Sequence, residues 1–506
     1  MSSYEQDGGA PVGARLLDRW QGQALLESEL ARRAGGAPSD LETLAAAVAA
    51  GWVDRVPAIE RGPRGWTCLR CGGSAIRLLP CGRCGRTDCP FCEECATLGP
   101  ARGCDRLYRF PARPATPWPA PGGGCPLGAP DSPSWPRLPF RLTPAQRRVA
   151  DALARWATEP AGPGSMLLWA ACGAGKTEML LAAAAATLRA QGRVLVATPR
   201  REVVRELEPR IRSAFAPLPV SAWYGGAPEE SRPDPGAPLV VATTHQCLRF
   251  HRAFHLVAVD EVDAFPFRDH EILRRAVERA ALPGAKRLWV SATPPTWLRR
   301  QAGGRGGGRG RGRTGLLFLP VRPHGHALPE PRLLWDPRLL AWQVPGAWPR
   351  RLAVWLRASR ARGARLLIFV PTVTLAQALP PVLARLVGEP VGTIWAGHPA
   401  RDETLERFRR GRVGVLVSTS LLERGVTLPA VDVMVLFPEH PVFDAAALVQ
   451  MAGRSGRSPE DPAGRVLFAG AWPSREVWRA LLAVRGMNRR AAREGLLGSA
   501  APGEAP

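Results

Sequence analysis

The sequence predicts an α/β protein: two tandem parallel-sheet lobes preceded by a small cysteine-rich domain. Three observations carry this. Ala170-Ala171-Cys172-Gly173-Ala174-Gly175-Lys176-Thr177 stands between an apolar run at 165–169 and an Ala/Leu run at 178–186, so a buried strand, a glycine turn and a helix follow one another. Downstream, short apolar runs with polar ends alternate with helical stretches, as in a parallel sheet. Upstream, eight of the eleven cysteines fall within residues 68–104.

The bulk numbers bound the answer. A chain of 506 residues is long enough for roughly two to four domains, and 45% hydrophobic content is ordinary for a globular protein. A formal charge of +24 points to a polyanion, nucleic acid before anionic lipid. Only two residues, Lys176 and Lys286, are lysines among the 68 basic ones, so genome composition is a competing source of that charge. No apolar run reaches the roughly eighteen residues of a membrane span, and residues 1–13 lack an apolar signal core; a cytoplasmic protein is expected. In a reducing compartment, clustered cysteines point to metal rather than disulfides.

Residues 1–64 read as an N-terminal helical region, in which 14–56 alternate charged and aliphatic positions as two or three short helices would. The cysteine domain spans 65–110. Cys68-Leu69-Arg70-Cys71-Gly72 and Cys81-Gly82-Arg83-Cys84-Gly85 are two knuckles, followed by Cys89, Cys92, Cys95 and Cys104. Four thiolates at such spacing satisfy tetrahedral Zn²⁺, and eight allow two sites whose pairing the spacing leaves open. Interleaved Arg70, Arg77, Arg83 and Arg86, with Trp66 and Phe91, suit either nucleic-acid contact or a folding staple with solvated arginines. Residues 111–138, dense in Pro and Gly, read as a linker.

The first lobe is placed at 139–302. The glycines of the 170–177 loop let backbone N–H groups close around phosphates, and the helix N-terminus adds a favourable field. Gly173, Ala174 and Gly175 form the cradle, Lys176 reaches the β/γ oxygens of ATP, and the Thr177 hydroxyl ligates Mg²⁺. Gln146, after Leu142-Thr143-Pro144-Ala145, is a candidate for an adenine edge. The strand at 256–259 ends in Asp260-Glu261-Val262-Asp263; carboxylates there are costly unless a metal or a reaction uses them. Asp260 is read as a water-mediated Mg²⁺ ligand and Glu261 as the group that orients the hydrolytic water. Strands ending in Thr198-Pro199-Arg200, Thr243-Thr244 and Ser291-Ala292-Thr293 place further polar groups at the same edge.

Residues 303–328, opening with a Gly/Arg run, read as an interlobe linker, and 329–480 as the second lobe, with a tail at 481–506. The second lobe carries strands at 365–370, 413–417 and 433–437 but no second phosphate loop. Gln450-Met451-Ala452-Gly453-Arg454-Ser455-Gly456-Arg457 places two arginines three apart. Arg454 and Arg457 are read as reaching the γ-phosphate across a cleft.

In their order, these motifs resemble those of superfamily 2 helicases over residues 139–470, which implies two RecA-like lobes. Gly425, in Glu423-Arg424-Gly425-Val426-Thr427, and Gln450 join the nucleotide site by that resemblance. More narrowly, Asp260-Glu261-Val262-Asp263-Ala264-Phe265-Pro266-Phe267, the 172–179 stretch and a cysteine domain ahead of the motor are similar to the ComFA family of late-competence ATPases. That resemblance implies Cys68, Cys71, Cys92 and Cys95 as one zinc set, leaving Cys81, Cys84, Cys89 and Cys104 for a second. It also implies ATP hydrolysis dependent on single-stranded DNA, peripheral attachment at the inner face of the cell membrane, and three partners: the competence DNA channel, a phosphoribosyltransferase-like competence protein and the recombination mediator. A homo-oligomer is left open. The rivals are a PriA-like replication-restart helicase, whose cysteines are expected inside the motor rather than ahead of it, and a nucleotide-switched zinc DNA-binding protein without turnover. RNA in place of DNA is not excluded by the motifs.

Overall fold

The structure is a computed structural model of the chain and describes residues 20–33, 38–63, 65–112, 135–227, 234, 236–303, 314–340, 348–424, 428, 430–459 and 461–498. Three units follow one another. The N-terminal unit holds β1 (Ala24–Leu26), β2 (Asp54–Pro57), β3 (Ile59–Gly62), β4 (Gly65–Cys68), β5 (Ile76–Leu79), β6 (Cys89–Cys92) and β7 (Arg106–Arg109). Here β7 lies between β1 and β2, and β3–β4 and β5–β6 are antiparallel hairpins.

This corrects two expectations. Residues 1–64 are not merely helical: besides the helices Glu27–Arg33 and Pro38–Ala49 they contribute β1 and β2. Both strands pair with β7, from beyond the cysteines, so the expected boundary at 64/65 cuts through one sheet. Strands of three or four residues with partners some fifty to eighty positions away leave no periodicity to read.

Lobe 1 is a seven-stranded sheet of β8 (Ser165–Ala170), β9 (Val194–Thr198), β10 (Val220–Trp223), β11 (Leu239–Thr243), β12 (Phe254–Asp260), β13 (Ala281–Ser291) and β14 (Thr314–Leu319). Its order is β10-β11-β9-β12-β13-β8-β14, with every pair parallel. β9 and β11 are buried at every position, because helices cover both faces and leave no solvent side to alternate toward. β14 corrects the reading of 303–328 as linker: residues 314–319 add an edge strand to lobe 1, while the Gly/Arg run at 304–313 lies outside the described residues. Most of the expected Pro/Gly linker, 113–134, also lies outside them; the indole of Trp135 donates to the Ala216 carbonyl.

Lobe 2 is a six-stranded, all-parallel sheet of β15 (Arg332–Trp335), β16 (Arg365–Phe369), β17 (Val391–Ile394), β18 (Val415–Ser418), β19 (Val431–Leu436) and β20 (Val466–Gly470), ordered β15-β20-β19-β16-β18-β17. The helix Arg475–Arg493 crosses the expected lobe–tail boundary at 480/481; Val477, Ala480, Leu481, Val484 and Met487 form one buried stripe with helical spacing along it.

Candidate functional site

The strand order places the chemistry. β12, β13 and β8 are neighbours, so the phosphate loop, Asp260-Glu261 and Ser291-Ala292-Thr293 leave the carboxyl ends of three adjacent strands. Gly173 and Gly175 have φ of 80° and 79°, a region that L side chains rarely adopt. A Cβ on Gly175 would also lie 2.4 Å from Gln146 Nε2. The Lys176 ammonium donates to the Ala171 carbonyl at 3.2 Å, folded back over its own loop.

Gln146 sits where an adenine reader is expected, but its side chain is engaged within the protein. Its Oε1 accepts from the Thr143 N–H at 3.0 Å and its Nε2 donates to the Ala174 carbonyl at 3.0 Å. The first bond completes a capping box on the helix Pro144–Thr158. The second fixes the phosphate loop to that helix.

Asp260 is buried at the end of β12. Burial, with Glu261 beside it and Lys176 opposing, pushes its carboxyl up to about 7. A carboxylate so placed gains from a cation. Glu261 has φ of 57°, left-handed for a side-chain-bearing residue, at a cost of about 1 kcal/mol. That conformation turns the chain sharply out of the strand, and Asp260 Oδ1 accepts the Glu261 N–H at 2.9 Å.

Asp263, the last residue of that motif, has no role of its own by sequence, yet it joins the lobes. Ser291 and Thr293 hydroxyls donate to it at 2.5 and 2.6 Å. From lobe 2, Arg424 donates at 2.6 Å and Gln450 Nε2 at 3.4 Å. Burial works to raise this carboxyl, but Arg424 and the hydroxyls win and hold it at about 2. No local pattern marks Asp263 as a hub, since its partners lie 28, 30, 161 and 187 residues away.

Lobe 2 brings Gln450, Arg454 and Arg457 to the same cleft. Cys172 Sγ approaches Gln450 Oε1 at 3.2 Å. Arg454 Nε donates to the Glu423 carbonyl at 3.1 Å and Arg457 Nε to the Gly453 carbonyl at 2.8 Å. Burial lowers both guanidinium pKa values, Arg454 to about 9, with Arg457 as its cationic neighbour. Gly425 lies outside the described residues. One further residue was missed: Arg322, between β14 and β15, is fully buried against the phosphate loop.

A second interlobe cleft is lined by Pro199, Arg200, Arg201, Phe265, Thr419 and Ser420. Phe265 is 66% exposed there, unusual for a ring of its size. Arg200 meets Glu423 at 2.7 Å and Arg401 meets Glu202 at 3.3 Å, so ion pairs cross the gap.

The eight cysteines gather as two groups, Cys68/Cys71/Cys92/Cys95 and Cys81/Cys84/Cys89/Cys104, with the sulfurs of each group within 4.8 Å of one another. Sγ separations of 3.7 Å (Cys68–Cys95), 3.6 Å (Cys71–Cys92) and 3.8 Å (Cys81–Cys104) match the tetrahedral edge of about 3.8 Å that Zn–S bonds of about 2.3 Å produce. Both sets fit zinc. In the first, contact with Cys71 holds Cys68 far below the ordinary thiol range while Cys68 drives Cys95 far above it: without a cation the four cannot all be thiolates. That group is buried in a core shared with lobe 1, whereas Cys84 of the second is exposed.

The interleaved arginines divide: Arg70 is committed to the core, whereas Arg77, Arg83 and Arg86 stay at the surface, 67%, 42% and 63% exposed. Arg70 is wholly buried and pairs with Glu29 at 2.9 Å, which also binds Arg249 of lobe 1 at 2.9 Å. Arg77, Arg83 and Arg86 pair with Glu93, Glu27 and Asp88. From the lobe 1 helix Glu271–Ala280, Arg275 and Arg279 donate to the carbonyls of Gly72 and Leu69, 2.5 and 3.0 Å away, gripping the first knuckle.

Three family profiles match in tandem: the competence protein ComFA N-terminal domain at 12–109, the DEAD/DEAH box helicase at 143–300 and the helicase conserved C-terminal domain at 349–459. The competence protein ComFA of Bacillus subtilis is 31% identical over 449 residues, 88% of this chain and 90% of that protein. That of Streptococcus pneumoniae is 31% identical over 443 residues, covering 87% and 94%. Among solved structures, S. cerevisiae Dbp5 bound to RNA and ADP BeF3 aligns with a TM-score of 0.46 at 18% identity, covering 68% of this chain and 91% of that one.

Proposed function

Because the chain belongs to the ComFA family of competence proteins and carries both helicase lobes of superfamily 2, we propose that it is an ATP-driven translocase of single-stranded DNA that draws DNA inward during natural transformation. One observation carries the reading. The phosphate loop and acidic residues of lobe 1 meet Gln450, Arg454 and Arg457 of lobe 2 in one cleft, so occupancy of that cleft bears on how the lobes sit.

ATP supplies the phosphoanhydride whose hydrolysis drives the cycle. The Gly173–Gly175 amides and Lys176 hold the phosphates, while Thr177 and Asp260 hold Mg²⁺. Glu261 orients the attacking water, and Arg454 and Arg457 stabilise charge that develops at the transferred group. Asp263 then relays the change: one carboxylate touches the Ser291/Thr293 strand end in lobe 1 and Arg424 and Gln450 in lobe 2. The cleft holding Phe265 is the proposed DNA path, its ring offering a stacking face for an unpaired base. The zinc unit is locked to lobe 1. We further propose attachment at the inner membrane face through the family's competence partners; among the described residues no helix is long and apolar enough to cross a membrane.

The test is ATP hydrolysis by the purified protein with no nucleic acid, single-stranded DNA, duplex DNA or RNA, alongside Lys176→Ala. Strong stimulation by single-stranded DNA, lost in the variant, is the expected result. Preference for forked duplex would move the reading to replication restart, and no turnover under any condition would leave a binding protein.

A further inference from the structure

Arg322 lies between β14 and β15, outside every motif of the motor, yet its side chain is buried between the phosphate loop and the arginine loop of lobe 2. Among the described residues its four hydrogen-bond partners are all carbonyls. Nε donates to Cys172 of the phosphate loop at 2.8 Å. Nη1 donates to Ser455 at 2.7 Å and also to Gly456, and Nη2 donates to Gly453 at 3.0 Å. One planar fork thus binds lobe 1 through a single carbonyl and the arginine loop of lobe 2 through three. Its approach is close enough that a Cβ on Gly173 would lie 3.3 Å from Nε, and one on Gly456 3.3 Å from Nη1.

The electrostatics are unusual. Among the described residues no carboxylate pairs with Arg322, and its charged neighbour is another arginine, Arg457. A buried cation held by carbonyls alone is costly, and that cost falls when an anion enters beside it. The phosphate loop next to it is where such an anion would sit. The protein therefore keeps an expensive group at this point, and its geometry says what for: the fork spaces the phosphate loop from the segment 453–457 that carries Arg454 and Arg457.

We propose that Arg322 is a positioning residue for ATP hydrolysis, setting the separation of the phosphate loop from the Arg454/Arg457 loop without itself contacting the nucleotide. The inference rests on the proposed ATPase. It adds that the arginines of lobe 2 are placed by a side chain from the interlobe connection. Lysine cannot substitute, because three donors on one nitrogen cannot span four carbonyls drawn from two lobes.

The experiment compares Arg322→Lys and Arg322→Ala with the unaltered full-length protein. At saturating single-stranded DNA, kcat is expected to fall about 100-fold in both variants, the scale of a misplacement of about 1 Å. The KM for ATP should change less than about threefold. Hydrogen exchange of segment 453–457, protected by a non-hydrolysable ATP analogue in the unaltered protein, should stay unprotected in the variants. Unchanged kcat in both variants would overturn the proposal. So would a raised KM with kcat intact, which would make Arg322 a phosphate ligand, and so would full recovery of kcat in Arg322→Lys. If Arg322→Ala fails to fold, the lysine variant, which keeps the charge and most of the volume, decides alone. If the unaltered protein does not turn over ATP, the functional reading fails, while analogue-induced protection of 453–457 still tests the tie: equal protection in Arg322→Lys would refute it.

Discussion

Lys176 and Glu261 serve different moments of the proposed reaction, so their loss should be visible in different measurements. Lys176→Ala removes a contact made to bound phosphate and is expected to abolish both nucleotide binding and turnover. Glu261→Gln keeps the side chain's shape and the φ of 57° but cannot activate water; hydrolysis should drop at least about 100-fold while a fluorescent ATP analogue still binds. Intact DNA-stimulated hydrolysis in Glu261→Gln would reject its assigned role. Asp263 offers a pH test. Its folded pKa, about 2, lies below the value of about 4 for an unfolded aspartate, so the stability it confers is complete above about pH 4 and is lost as pH falls toward 2. Asp263→Asn removes the nearest carboxylate from buried Arg424, leaving Glu423 at 3.4 Å and Glu261 at 4.0 Å as more distant partners, at a cost of roughly 3 kcal/mol near neutrality. The gap in unfolding free energy between the two proteins should be flat from pH 5 to 7 and narrower at pH 3. A gap independent of pH would mean that the carboxylate's charge is not what matters.

At the scale of elements, the motor was legible because its chemistry sits on strand ends. Apolar runs that stop at Lys176, Asp260 or Ser291 announce both a buried parallel strand and the residue it delivers. The N-terminal unit was not: β1, β2 and β7 are three or four residues long and meet across the cysteine block. Nor does any local pattern show Arg322 or Asp263 as interlobe contacts, since arginine and aspartate take their roles from partners more than a hundred residues distant. The cysteines were legible as zinc ligands but not as equals. The Cys68/Cys71/Cys92/Cys95 set lies in a core shared with lobe 1, and its knuckle is held by Arg275 and Arg279; the other set is partly exposed. Metal analysis should find two zinc ions per chain. Cys81→Ser with Cys84→Ser should remove one and leave thermal unfolding of the lobes nearly unchanged. Cys68→Ser with Cys71→Ser should remove the other and lower the unfolding midpoint of lobe 1 as well, because the helix Glu271–Ala280 loses the knuckle it grips. Equal effects of the two pairs would refute the distinction drawn from burial.

Across the whole molecule the excess positive charge has two candidate causes, and the structure separates what each predicts. If arginine merely replaces lysine throughout, the surplus should be spread over the surface and balanced locally. Many exposed arginines do pair with a carboxylate on the same helix, as Arg212, Arg275, Arg410, Arg479 and Arg490 do. Such pairs contribute little to stability and nothing to a ligand. Yet the formal charge is +24, so local pairing leaves a large residue of unneutralised cations. If these line a DNA path, binding of an oligothymidylate must release counterions, at about 0.7 per phosphate neutralised on a single strand. The logarithm of the association constant should then fall against the logarithm of salt concentration with a slope steeper than about −2, while unstimulated ATP hydrolysis, whose cleft is buried between the lobes, hardly changes. Because a wholly electrostatic grip would not distinguish strands, the abasic form of the same oligonucleotide should keep that slope yet bind more weakly, by about 1 kcal/mol or more for each base that stacks. Phe265→Ala should erase the difference between the two oligonucleotides without altering the slope. A shallow slope would assign the charge to composition alone, and an unaltered preference in Phe265→Ala would move the bases elsewhere in the cleft.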